Sequence, residues 1–503
     1  MHIVLASMGF PLFIVVTHYI NLLFIGLLIR SGIQIAGAHP RLYWNDNCNP
    51  DSAWLNLVRK KVPKDRLYTS MDDEVAVPRI LALPGKDNLG LGRHWHFFSI
   101  IFWILNGLIY WVLLFATGEW TTLIPTSWSI FPRAWQTFLT YATFHIPPTS
   151  EFTPLDPLQQ LTYAAVVFLL APFMLLTGAA MSPSIEARFP WYIKLFGGRQ
   201  VARSLHFLSM IAFVLFIIVH VALVLIVHFQ DNIRNIVFGT TQSNLGLAIT
   251  IAMIALLVVV AVYVWASWQT LRKPRLMQHA LGFLVDPVRK TLLHHEKSRQ
   301  QYKQSAISPY FWVNGRPPVE DQYKQLATHD FADWKLEVGG LVTSPFHLSL
   351  EDLRKLPKQT QITKHNCIQG WSGVAEWGGV PLAEIIKLCG VKPEAKYVVL
   401  TSYQKGKESV KPELKEAHGH TYYEVIDMVL AQHPQTILAY EMNDQALPID
   451  HGAPLRLRCE TQLGYKMVKF LRSIEFVADY DSVGAGQGGF REDFQYYGRG
   501  AEI

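Results

Sequence analysis

The sequence predicts an all-α membrane bundle of five transmembrane helices followed by a soluble α+β domain, and three observations predict it. Five runs, at about 10–30, 97–117, 161–181, 204–228 and 245–268, are apolar over roughly the 20 residues that a helix needs to cross a bilayer. Nearly all of the long apolar runs lie before Trp268, and most of the charge lies after it. Beyond Arg275 the texture changes to short β-branched runs such as WKLEVGGLV, KYVVLTS and LRLRCE, separated by Gly, Pro and polar turns. Helix-like stretches such as VPLAEIIKLCG and YYEVIDMVLAQ lie between them. A chain of 503 residues, half of them hydrophobic, has length enough for two or three cores. The expected boundaries are 1–270 for the membrane part, 271–305 for a basic surface linker, 306–480 for the soluble domain and 481–503 for a Gly-rich tail.

The first run contains LFIVVTHYINLLFIGLLI, the second FFSIIFWILNGLIYWVLLF and the fourth LHFLSMIAFVLFIIVHVALVLIV. The N-terminus is apolar from its start and lacks a positive n-region, so it reads as the beginning of a span and not as a signal peptide. With five spans, the first-to-second loop, the third-to-fourth loop and the C-terminus share one side. That side carries Arg30, Arg79, Lys86, Arg93, Arg188, Lys194, Arg199, Arg203, Arg272, Lys273 and Arg275 close to the spans, against Arg133 and Arg234 on the other. The positive-inside rule makes it cytoplasmic. The net charge of +6 is thus spent on topology, and nucleic acid is not an expected partner. Of the four cysteines, Cys48, Cys367, Cys389 and Cys459, none forms a C-x-x-C pair, which leaves iron–sulfur and structural zinc sites without support.

Ionisable residues inside a span are costly and default to a functional reading. His206 and His220 share the fourth span, 14 residues and so about 21 Å apart along the axis, and project from nearly one face. That spacing suits two haems stacked across a membrane. His96 opens the second span at the depth of His206, and His18 matches the depth of His220. The pairs His96–His206 and His18–His220 would each give bis-His ligation, which carries electrons and leaves no open iron position. The bland alternative is that each histidine hydrogen-bonds within the bundle. His94 competes with His96 from the opposite face, and His228 lies too far along the fourth span to share the scheme.

The segments VTHYINLLFIGLLIRSG, AHPRLYW, GRHWHFFSIIFWILNGLIY and LHFLSMIAFVLFIIVH resemble the di-haem cytochrome b subunits of membrane formate dehydrogenases, hydrogenases and thiosulfate reductases, over about residues 10–270. The resemblance implies two haem b, quinone or quinol as partner, and His18, His96, His206 and His220 as iron ligands. That family often puts the cytoplasmic side assigned above outside the cell, against the charge bias.

The second constellation is KHNCIQGWSGVAEWGGVPL, residues 364–382. From the residues alone, Cys367 is equally a buried small hydrophobe, a nucleophile or the thiolate ligand of a soft metal. The segments ISPYFWVNGRPP, DWKLEVGGLVTSP, HNCIQGWSG, WGGVPL, ILAYEMNDQALPIDHGAPLRLRCE and GYKMVKFLRSIEF, in order over about 307–480, resemble the sulfite-oxidase fold of molybdopterin enzymes. The resemblance implies a molybdenum cofactor ligated by Cys367, which is then the catalytic centre, with Cys389 and Cys459 structural. It places Asn314, His365, Arg456, Lys466 and Lys469 near the pterin or its phosphate, where cations suit an anion. His418, His420 and Tyr422 are candidate pocket residues. Animal and plant sulfite oxidases carry an Arg-rich stretch after the cysteine. Here IQGWSG stands instead, closer to the bacterial branch that includes a methionine-sulfoxide reductase, so Gln369 and Trp371 would line the entrance.

The expected protein is a membrane-bound molybdopterin-dependent oxidoreductase that exchanges electrons between a small substrate and the quinone pool through two b-type haems. A non-enzymatic electron-transfer cytochrome with a docking domain, and a haem-free transporter or sensor, are the competing readings. The expected site is the bacterial cytoplasmic membrane, surrounded by lipid, with the molybdenum domain facing the cytoplasm. Molybdopterin is inserted into folded protein there, and no twin-arginine segment precedes the fifth span. Substrate, direction of electron flow and oligomeric state, a homodimer included, are left open.

Overall fold

A computed structural model describes residues 9–86, 88–143, 145, 155–293, 299–498 and 501. The start of the chain, on which the signal-peptide expectation falls, lies outside the described residues. Five helices are long and apolar enough to cross a membrane: α1 Leu12–Ala38, α2 Leu89–Ala116, α3 Pro157–Ala180, α4 Arg199–Ile226 and α5 Leu245–Arg272. Several outlast the apolar run that announced them, because a helix continues after its residues turn polar. α1 extends through Gln34, and α4 begins at Arg199 instead of 204. Their outward residues stay apolar, with Leu215, Ile218 and Ile226 more than half exposed, as a lipid solvent allows. α3 contains a π-helical turn at Val166–Leu170, a local widening common near functional residues.

The contacts divide the chain into two compact units. One comprises Met1–Gly32, Trp95–Ala179 and Leu205–Arg272. The other comprises Ile33–His94, Ala180–Ser204 and Lys273–Ile503. These units cut across the expected boundary at residue 270. The two loops on the C-terminal side of the membrane pack with the C-terminal residues, because they carry their own buried side chains. Arg41 makes a bidentate ion pair with Asp73 at 2.8 and 2.9 Å, and Tyr43 and Cys48 are fully buried.

Within this second unit, α6 (Pro274–Leu293) occupies much of the segment expected as a linker. Met277, Leu281 and Val285 recur every fourth residue and are buried, which is the spacing of one helix face. Arg275 donates to the Glu492 and Asp493 carbonyls, and Gln278 donates to that of Tyr497. The segment expected as a tail is thereby fixed, and Phe490 in the short helix Phe490–Phe494 is fully buried.

Ten strands follow: β1 Lys335–Gly340, β2 Phe346–Ser349, β3 Gln359–Asn366, β4 Ser372–Pro381, β5 Tyr397–Lys405, β6 Thr421–Asp427, β7 Thr436–Met442, β8 Gln445–Ala446, β9 Arg456–Cys459 and β10 Leu471–Val477. One sheet has the order β8-β7-β4-β3 with β9 also on β7; the other runs β2-β1-β10-β5-β6. All pairings are antiparallel except β1 with β10. Trp334, Leu336, Trp377, Val398, Leu438 and Phe476 are fully buried in one core that draws on both sheets.

Candidate functional site

β3 and β4 form a hairpin whose register ends with Asn366 opposite Ser372. The five residues between them carry Cys367. Cys367 N–H donates to the Trp371 carbonyl at 3.0 Å, and Gly370 N–H donates to the Cys367 carbonyl at 3.0 Å. Gly370 has φ +116°, a conformation that a side chain would strain, so the glycine of CIQGW sets the turn. The Cys367 thiol is 2% exposed, and burial pushes it up to about 12. A thiolate there needs a cation beside it, and a metal is the cation that binds sulfur directly. Asn314 Nδ2 lies 3.5 Å from the sulfur, and the thiol reaches Gln369 Oε1 at 3.5 Å.

Two adjoining cavities flank this turn. The larger is bordered by Phe311, Asn314, His365, Trp371, Gln404, Tyr422, His451, Arg456 and Lys469. The smaller is bordered by Met71, Glu74, Asn314, Gln369, Lys411, Tyr465 and Arg491. Asn314, Ser409, Tyr465 and Arg491 border both.

Among the described residues, the larger cavity is bordered by Arg456, Lys469 and Arg491 and by no carboxylate. Burial, then repulsion from Arg456, lowers Lys469 to about 7. Burial and Arg458 lower Arg456 to about 9, and burial with Lys469 and Arg456 lowers His451 to about 3. His365 is held well below its usual value by burial and then by Arg458, whose Nη1 donates to its Nδ1 at 3.0 Å. The Arg456 Nε, Asn314 Oδ1, Ser409 Oγ and Arg491 Nε are buried without a hydrogen-bond partner among the described residues. Depressed cations and orphaned polar atoms around a void are what an anionic, hydrogen-bonding cofactor would satisfy. Its rings would meet Phe311, Trp371 and His365, the last two stacked at 5.2 Å. The residues present therefore fit a pterin with a phosphate.

Of the residues expected at this site, Asn314, His365, Arg456, Lys469, Gln369, Trp371 and Tyr422 border the cavities. Lys466 does not. Its ammonium is buried between Glu424, at 2.8 Å, and Glu492, so its charge is already balanced. His418 lies against the Lys411 carbonyl and His420 against the Phe494 ring, and neither borders these two cavities. Glu74, Lys411, His451, Tyr465 and Arg491 were not expected. His451 sits inside the quoted PIDHGAP segment and could have been singled out there. Tyr465 likewise lies in the quoted segment GYKMVKFLRSIEF, whereas Glu74, Lys411 and Arg491 come from segments with no local pattern pointing to a site.

In the other unit the four histidines fall on α1, α2 and α4. His18 and His220 have ring centroids 6.2 Å apart, which leaves room for an iron between them, a metal–imidazole bond being about 2 Å. Tyr163 Oη lies 3.0 Å from His220 Nδ1. The Ser31 hydroxyl donates to the Leu27 carbonyl, so its oxygen accepts from His96 Nδ1 at 3.0 Å. Likewise Thr177 donates to the Phe173 carbonyl, and His206 Nδ1 meets Thr177 Oγ1 at 3.2 Å and the Met174 carbonyl at 3.1 Å. Both His96 and His206 are thus held as the tautomer with its lone pair on Nε2, the arrangement that outer-shell partners impose on metal-binding histidines. Gly178 lies so close to His206 that a Cβ would stand 3.2 Å from the ring.

Comparison with known proteins agrees with both halves. The family described as prokaryotic cytochrome b561 matches residues 9–239, and the family described as oxidoreductase molybdopterin binding domain matches residues 323–483. The chain joins a cytochrome b561 domain to a molybdopterin-binding oxidoreductase domain, and it is an integral membrane protein. It is 34% identical over 177 residues to a putative protein-methionine-sulfoxide reductase subunit YedZ1 of Azospira oryzae, covering 35% of this chain and 58% of that protein. It is 33% identical over 148 residues to the protein-methionine-sulfoxide reductase catalytic subunit MsrP of Campylobacter jejuni, covering 29% and 50%. The MsrP of Xanthomonas axonopodis pv. citri is 34% identical over 158 residues, covering 31% and 49%. The chain thus spans about half the length of the curated relatives it matches. Among solved structures it is similar to the sulfane dehydrogenase SoxCD of Paracoccus pantotrophus at 25% identity and a TM-score of 0.25, covering 29% of this chain and 39% of that one.

Proposed function

We propose that this protein moves electrons between the quinone pool and a small oxygen-bearing substrate, through two b-type haems and a molybdenum held by Cys367. The observation that carries the reading is the buried Cys367 thiol beside a cavity whose cations lack anions. Bound there, molybdopterin would supply two-electron oxygen-atom transfer, and haem iron would supply single-electron steps. Cys367 would hold the metal, while Arg456 and Lys469 would hold the phosphate. Asn314 and Gln369, both at the sulfur, would orient the ligand end. His18 with His220 and His96 with His206 would hold the haems, their tautomers fixed by Ser31, Thr177 and the Met174 carbonyl.

The likeness to methionine-sulfoxide reductase subunits favours reduction of a sulfur-bound oxygen. Such a sulfoxide would take up two electrons and two protons, becoming a thioether and releasing water. The electrons would come from a quinol, which would leave as quinone. The protein would sit in the cytoplasmic membrane of a bacterium with the Cys367 unit inside. The charge bias supports that side, and the three segments which five spans put on one side are the three forming that unit.

The test is metal analysis with a reduced-minus-oxidised spectrum on the detergent-purified full chain and its Cys367→Ser variant. One molybdenum with two b-type haems is expected, and the variant should keep haem while losing quinol-dependent sulfoxide reduction. Haem without molybdenum in the wild type would overturn the reading and favour an electron-transfer cytochrome with a docking domain. A reporter fused after Ile503 that works only outside the cytoplasm would overturn the orientation.

A further inference from the structure

The smaller cavity has a cation at its wall that no expectation included. Arg491 belongs to the short helix Phe490–Phe494 and borders both cavities. Its Nη2 donates to the Ser409 carbonyl at 2.9 Å, its Nη1 donates to Gln495 Oε1, and the guanidinium lies over the Tyr422 ring at 6.0 Å. These contacts fix its position, yet its buried Nε has no acceptor among the described residues. No carboxylate among the described residues makes an ion pair with it. Glu74, on the same wall, is engaged by Lys411 at 3.5 Å and by Gln369 Nε2 at 3.1 Å. Among the described residues bordering the cavity, the charged ones are Arg491, Lys411 and Glu74.

The cavity also touches the sulfur's neighbours. Asn314 and Gln369 both border it, and both lie 3.5 Å from Cys367 Sγ. A ligand filling it would stand one side chain from the metal-binding atom, with the Arg491 guanidinium in reach. The turn itself, Ile368 to Gly373, supplies no positive side chain.

We propose that Arg491 anchors the substrate, taking the negatively charged oxygen of a sulfur–oxygen group in the smaller cavity. The proposal rests on Cys367 holding molybdenum. A guanidinium suits this role because its charge is permanent and its planar fork grips oxygen by charge-assisted hydrogen bonds. The oxygen's source is either a sulfur oxyanion or a sulfoxide dipole; both offer the same chemistry to the fork.

The experiment compares purified, molybdenum-loaded wild type with Arg491→Gln and Arg491→Lys, using inorganic sulfite and dimethyl sulfoxide as probes. Steady-state turnover and the Mo(V) electron paramagnetic resonance signal are recorded with each probe. In Arg491→Gln, KM for the recognised probe should rise about 10- to 100-fold while kcat changes far less, as loss of a charge-assisted hydrogen bond predicts. The perturbation of the Mo(V) signal by that probe should weaken in parallel, and Arg491→Lys should recover part of both. An effect confined to sulfite identifies an oxyanion substrate, and one confined to dimethyl sulfoxide identifies a sulfoxide. Unchanged KM and signal in both variants, or a wild type indifferent to both probes, would overturn the proposal. So would loss of molybdenum from both variants, which would make Arg491 a cofactor ligand. Wild type without molybdenum would instead defeat the Cys367 reading.

Discussion

The Nη1 of Arg199 donates to Asn366 Oδ1 at 3.0 Å, one residue before Cys367. Its neighbour Gln200 donates to the Gly370 carbonyl at 2.9 Å, so the turn that carries Cys367 is held from both ends by one stretch of chain. Close by, Lys364 lies buried between Asp46 and Glu186, each at 2.7 Å. The turn is therefore braced by residues from both membrane-flanking loops.

Arg199→Ala should loosen that brace. Loss of a buried, charge-assisted hydrogen bond is expected to cost about 1.5–3 kcal/mol. Purified variant should release molybdenum faster than wild type on warming, with haem absorbance unchanged. Equal release rates would show that the turn holds itself.

Tyr163→Phe removes the hydroxyl at His220 Nδ1 while keeping the ring. Haem content should stay intact, and the midpoint potential of one haem should rise, because a less basic imidazole favours the ferric state less. His220→Ala should remove about half of the b-type absorbance, since two bis-His sites are proposed. A redox titration of both variants checks this, and an unmoved potential in Tyr163→Phe would put Tyr163 outside the haem's influence.

Lys466→Met should destabilise strongly, by about 3–5 kcal/mol, since Glu424 and Glu492 would be left buried without their cation. Burial raises both carboxyls, and the neighbouring charge of Glu492 adds to the effect on Glu424, that of Asp493 to the effect on Glu492. Adding Glu424→Gln and Glu492→Gln should restore part of the loss. The readout is the thermal midpoint by tryptophan fluorescence; an unchanged midpoint would contradict the ion-pair assignment.

Lys469 gives a pH dependence with a definite sign. Its folded value, about 7, lies below the unfolded value near 10.4, so between the two the unfolded chain binds the extra proton. Cofactor-free protein should therefore gain stability as pH rises from about 7 to about 10. Lys469→Met should flatten that rise, and so should a bound phosphate group, which restores the charged form. Melting the cofactor-free protein and the variant across that window tests it; parallel curves would exclude Lys469 as the source.

The spans, the four histidines and the β texture after Arg275 were legible because each rests on a local pattern: apolar length, an ionisable residue within it, and alternation between turns. Cys367 stood out only through the ordered resemblance around it, since a single thiol carries no periodicity. Lys466 could not be separated from Arg456 and Lys469 by sequence, because what distinguishes them is the company of Glu424 and Glu492, brought together by tertiary structure. The same holds for Glu74 and Arg491, which reach one cavity from opposite ends of the chain. Residues 33–94 looked like an ordinary long loop because their buried side chains follow neither a helical nor a strand repeat.

The unit containing Cys367 is assembled from three stretches of polypeptide with membrane helices between them. Its cavity wall includes Met71 and Glu74 from the first stretch and Arg491 from the last. During synthesis the earlier stretches must wait, with their binding surfaces unfilled, until Arg491 emerges. Cofactor capture is thereby tied to synthesis through Arg491, and a product ended before that residue would be unable to build the finished cavity.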